Sequence, residues 1–208
     1  MFDLIRSEEK LFKKLSTPIK IQDFLDTIPM NFERDGDTHY SPRTALKQNT
    51  AHCIEGALIA ATALWYHGER PLIIDMRGRR PDVDHIVTLY KKSGYWGAIS
   101  KTNHATIRFR DPIYKNVREL ALSYFHEWFM NKNGEKTLES YSDPLDMRAF
   151  GSAWITDADD LWWLDEKLDA LKHHSLVPKG NKKYIRPADT MELKAGRLEE
   201  WSSRNSQG

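Results

Sequence analysis

The chain has 208 residues, with 31 Lys or Arg against 30 Asp or Glu and a net charge near +1. That balance excludes the clearly basic face of a nucleic-acid-binding protein, and a single cysteine excludes an internal disulfide framework. A hydrophobic share of 40% supplies a core for one domain, with or without an appendage, and no apolar run approaches the ~20 residues that span a bilayer.

The first ten residues lack the basic and long apolar regions of a secretory signal, so a cytoplasmic location is expected. Residues 4–16 place Leu4, Ile5, Leu11, Phe12 and Leu15 at helical spacing. Thr17-Pro18 then reads as an N-cap followed by a proline at the first helical position, opening a second helix that ends before Pro29. Residues 30–40 read as a loop, and Ser41-Pro42 starts a short helix to about Leu46. Cys53 opens a run to Trp65 that is apolar on nearly every side, which predicts a buried helix capped by His67-Gly68.

Pro71–Met76 predicts a buried strand and residues 77–82 a turn. His85–Tyr90 and Tyr95–Ser100 predict a hairpin about Ser93-Gly94. Thr106–Arg110 alternates like a third antiparallel strand, and residues 114–130 return to helical spacing. Beyond residue 131 the pattern is less regular. Thr156 and Asp157 read as caps of a helix through Leu171, and a weaker helical segment spans Met191–Trp201, with a loosely held polar tail. The order predicts an α+β fold. It divides into an N-terminal helical segment (1–40), a core (41–150) and a C-terminal helical extension (151–208).

A thiol at a buried helix N-terminus faces unpaired backbone N–H groups and the positive end of the helix dipole. Both favour the thiolate, the nucleophilic form. His85, opening a strand packed against that helix, is the candidate base. Read singly, Cys53 is equally a small buried hydrophobe and His85 a satisfied strand-end histidine.

Their surroundings add to this. His52-Cys53-Ile54-Glu55-Gly56-Ala57, the apolar helix to Trp65, Gly68-Glu69-Arg70-Pro71 leading into Leu72-Ile73-Ile74, Asp84-His85-Ile86-Val87 and Gly94-Tyr95-Trp96-Gly97-Ala98-Ile99 follow one another in that order. The series resembles the transglutaminase-like superfamily, in particular its bacterial members. There a Cys begins the central helix and a Gly-x-Pro turn, one residue shorter than here, leads into a strand. A His opens the next strand, and a Gly-Trp hairpin leads to a third catalytic residue, usually Asp. Spanning residues 40–112, the resemblance implies a papain-like core with Cys53 as nucleophile and His85 as general base.

At the position of the family's Asp this chain has Ser100. If Ser93 and Gly94 are the central turn residues, Lys92 pairs with Tyr95 and Thr102 falls opposite His85. Ser100 then shares the face of His85. Ser100 can accept a hydrogen bond from the imidazole but cannot offset its charge. Asn103 is an alternative orienting residue, as an amide is in papain-like proteases. Asp111-Pro112 is a third, one strand later.

His39, His52, His85, His104 and Cys53 match no zinc-ligand spacing, and His52 reads as a neighbour of the site or as exposed. Arg77, Arg79 and Arg80 read as a solvated loop or, more sharply, as a fork for an acidic substrate group. Trp154, Trp162 and Trp163, with Phe125, Trp128 and Phe129, read as core between the sheet and the C-terminal helices. The expected function is cysteine-dependent acyl transfer on an amide, ester or thioester, by hydrolysis or transamidation, with no cofactor and no metal. The alternative is a non-catalytic binding or scaffolding domain. The expected partner is a peptide or small acyl substrate, with neither nucleic acid nor membrane.

Overall fold

The structure, a computed structural model, describes residues 2–201. Helices α1 (Arg6–Lys14) and α2 (Pro18–Thr27) come first. The Thr17 hydroxyl accepts from the Lys20 amide at 3.2 Å, with Pro18 at the first helical position. Helix α3 (Pro42–Gln48) starts in the same way, Ser41 Oγ accepting from the Thr44 amide.

Helix α4 (Cys53–Tyr66) has no polar stripe, and every residue from Ile54 to Leu64 is buried. Such a helix must be covered on all sides. The N-terminal helices cover one side through Phe12, Leu25 and Ala45. Trp154, Ile155 and Leu164 cover another from the C-terminal part of the chain. The sheet covers the rest, where the Thr88 hydroxyl donates to the Ala57 carbonyl at 2.6 Å.

The fold is α+β. Seven antiparallel strands, β1 (Leu72–Gly78), β2 (His85–Lys92), β3 (Tyr95–Ile99), β4 (Arg110–Tyr114), β5 (Leu138–Ser142), β6 (Leu145–Asp146) and β7 (His173–Ser175), form one sheet. Their order is β4-β3-β2-β1-β5-β7, with β6 also on β1. Side chains alternate across it. Ile73 and Ile86 face α4, while Ile74, Met76, Val87, Leu89 and Ala98 face α5 (Val117–Tyr124). Both faces are covered, which is why β1 and β2 read as continuous apolar runs. The β2–β3 ladder runs from Thr88↔Ile99 to Lys92↔Tyr95, the expected register. Positive φ at Ser93 (49°) and Gly94 (87°) gives the tight turn that matches strand twist.

Several local expectations give way. Residues 106–109 are not a strand, and pairing begins at Arg110. Ile107 takes φ 54°, its amide held by Glu127 and its carbonyl by the Ser100 hydroxyl, so the chain folds over the end of the sheet. The helix expected over 114–130 stops at Tyr124. Trp128 still packs in the same cluster but is fixed by an indole hydrogen bond to Asp82 at 3.0 Å. The helix expected from Thr156 begins only at Trp163, as α6 (Trp163–Asp169), because the Asp157 carbonyl accepts from Ser41 Oγ instead. Strand β1 continues to Gly78 into the expected turn.

Strands β5, β6 and β7 carry no clean alternation and were invisible to the pattern. Helix α7 (Thr190–Gly196) ends short of Trp201. Residues 198–200 are not loose, for they pair with residues 103–105. Residues 202–208 of the expected tail lie outside the described residues. No helix among the described residues is long and apolar enough to cross a membrane.

Candidate active site

A cleft of about 680 Å³ opens at the N-terminus of α4, with Cys53, His52, His85 and Asn103 in its wall. Cys53 is half-buried at the first helical position. His52 Nδ1 lies 3.9 Å from Cys53 Sγ, and His85 shares the cleft wall with the thiol. Burial alone would raise the thiol. The His52 hydrogen bond and the interactions with both histidines outweigh it and hold Cys53 well below the usual thiol range.

His85 starts β2 and belongs by alternation to the α5 face, where the edge of Trp128 meets its ring at 6.0 Å. Its Nε2 is 2.8 Å from Ser100 Oγ. Ser100 donates its own hydrogen to the Ile107 carbonyl, also at 2.8 Å, so it accepts from Nε2–H and Nδ1 is the nitrogen left for the thiol. Ser100 is in turn pinned by Gln22, whose side-chain amide bonds both its carbonyl (2.9 Å) and its amide (3.0 Å).

The carboxylates stand behind the other histidine. His52 Nε2 donates to the Thr38 carbonyl at 2.8 Å and lies 3.4 Å from Glu33 and 3.6 Å from Glu55. Burial opposes the charged ring. The Cys53 hydrogen bond and charge, then Glu55, offset that and raise His52 to about 10. Glu55 is fully buried and accepts from the His52 and Tyr40 amides, the Thr38 hydroxyl and the Asn31 amide. A buried carboxylate needs such a set of donors.

The remaining expected residues separate here. Asn103 lines the cleft, but its amide does not bond His85. Asp111 is exposed on β4, one residue past the Ala98↔Arg110 pair, and does not line the cleft. Arg77 is held by Asp75 and Asp169 and Arg79 by Glu135. Neither they nor the exposed Arg80 face the cleft, so the acidic-substrate fork is not formed there. Trp154 is core, as expected. Trp128 is core as well, while also lining the cleft; Phe129 and Trp162, by contrast, line it without being core, and Trp162 is 44% exposed against the His39 ring at 4.2 Å.

No protein-family model matches the chain, and a search of curated proteins finds no match either. Among the described residues no group of three or more His, Cys, Asp or Glu side chains is placed to hold a metal ion.

Two contributors carry a local signal in the sequence. His52 and Glu55 stand at the N-cap and third-residue spacing of a capping box, and Glu55 makes its half of that bond to the His52 amide at 2.9 Å. Asn31 and Thr38, by contrast, reach Glu55 from a loop with no local pattern of its own.

Proposed function

We propose that this cleft catalyses acyl transfer through a thioester at Cys53, in the manner of the transglutaminase-like enzymes that the sequence resembles. The observation that carries the reading is a thiol at a helix N-terminus that shares its cleft with two histidines, His85 oriented by a serine and His52 backed by the buried Glu55 carboxylate. The Cys53 thiol passes its proton to His85 Nδ1, the thiolate attacks the carbonyl carbon of an amide, ester or thioester, and the carbonyl π pair moves onto oxygen. Collapse expels the leaving group, which takes a proton from His85. Water or an amine then gives a proton to His85 as it attacks the thioester, and the thiolate leaves.

Ser100 supports orientation of the His85 ring but brings no negative charge. The charge that favours the thiolate comes from His52 with Glu33 and Glu55. The test is incubation with an activated ester, followed by mass measurement of the intact chain. One acyl group on wild type, none on Cys53→Ser, and slow turnover in His85→Gln are expected. Absence of any adduct on wild type would select the second reading, a non-catalytic binding domain, which the serine in place of a carboxylate at His85 favours.

A further inference from the structure

We infer that Asn103 is a carbonyl-oxygen donor, sharing with the Cys53 backbone N–H the oxyanion formed when the thiolate attacks. The inference rests on the acyl-transfer reading above. Three observations carry it.

The Asn103 side chain is buried, 7% exposed, yet its amide makes no hydrogen bond among the described residues. Buried amides are ordinarily paired, and a free one has a role to explain. Its amide atoms are not sealed off, since both differ from the fully enclosed unpaired atoms of His39, Asp75 and Tyr124. They meet the cleft that Asn103 lines together with Cys53.

The second observation is position. Thr88 bonds the Ala57 carbonyl, and Thr88 is paired with Ile99, so Ile99 lies level with Ala57 of α4. Past Ile99 the alternation continues. Ser100 turns to His85, and Lys101 turns to α4, where its stem lies so close to Gly56 that an added Cβ would stand 2.3 Å from Lys101 Cβ. The chain thus runs toward the N-terminus of α4. Asn103 comes two residues after Lys101 on that course and lines the cleft together with His52 and Cys53.

The third is that the segment is held. Gln22 clamps Ser100, and Lys101 Nζ donates to the Leu25 and Ile28 carbonyls. The Asn103 carbonyl accepts from the Glu200 amide at 2.7 Å. The side-chain amide therefore remains free on a backbone that is anchored on both sides, the preorganisation an oxyanion donor requires. Ser100 already fills the orienting role at His85 Nε2, so Asn103 is not needed there.

The experiment compares two reactions at one thiol. Alkylation by iodoacetamide displaces iodide and forms no oxyanion, whereas acylation by a p-nitrophenyl ester does. Asn103→Ala, and Asn103→Asp as a variant of the same shape without the donor, are expected to alkylate within twofold of wild type. Their acylation should slow by about 10²-fold, the usual effect of losing one such donor. Acylation at the wild-type rate in both variants overturns the role of Asn103 and leaves the thioester reading standing. So does a matching loss in both reactions, which marks a structural effect. Failure of the wild-type chain to acylate overturns the thioester reading and this role with it.

Discussion

Cys53 and His52 form a pair whose two shifts have opposite signs and one cause. The thiol is lowered, so the thiolate persists through neutral pH and is lost only as pH falls through that lowered value. His52 is raised, so its contribution is complete below the ordinary histidine value and is lost as pH rises through about 10. Between those limits the ion pair is intact. Iodoacetamide should therefore alkylate Cys53 at a level rate from about pH 7 to pH 9, where a free thiol accelerates roughly twentyfold. A Cys53 rate that climbs like a free thiol's would show that the histidines do not hold the thiolate. In Glu55→Gln the profile should move toward the free-thiol curve, because His52 loses its buried counter-charge.

Helix α4 works as an element through its crowding as much as through its terminus. Gly56 sits one turn after Cys53, and Lys101 lies against it. Elsewhere in a helix Gly→Ala is stabilising, by up to about 1 kcal/mol, through propensity. Here the added methyl collides with Cβ and Cγ of the Lys101 stem, and overpacking of that kind costs about 1–3 kcal/mol. Gly56→Ala should thus lower the denaturation midpoint and slow acylation, because the displaced segment carries Ser100 and Asn103. An unchanged midpoint with unchanged acylation would show that the strand end can yield without consequence.

At the scale of the whole molecule, the site is closed by both ends of the chain. Gln22 on α2 clamps Ser100, while residues 198–200 pair with residues 103–105 through the Leu198 carbonyl (2.9 Å) and the Glu200 amide (2.7 Å). None of the three core clusters includes a residue after Leu176. Ending the chain after Gly196 should therefore leave the circular dichroism spectrum and the iodoacetamide rate close to those of the full chain, and slow acylation several-fold as the Asn103 loop loses its anchor. Equal acylation in the shortened chain would show that the pairing has no part in the site.

The sequence by itself determined the α+β class, the start of α4 at Cys53, the β2–β3 register and hence the placement of Ser100 beside His85. Each of these rests on interactions between near neighbours: caps at Thr17 and Ser41, a two-residue turn at Ser93-Gly94, and the two periods of helix and strand. Only the tertiary structure decided the rest. Glu55 meets Asn31 and Thr38 from a loop 24 and 17 residues away. Trp162 leaves the core for the cleft, residues 106–109 leave the sheet to reach Ser100, and three short strands complete a sheet their own residues do not announce. Those features are set by contacts between distant segments, where packing and polar satisfaction override local pattern.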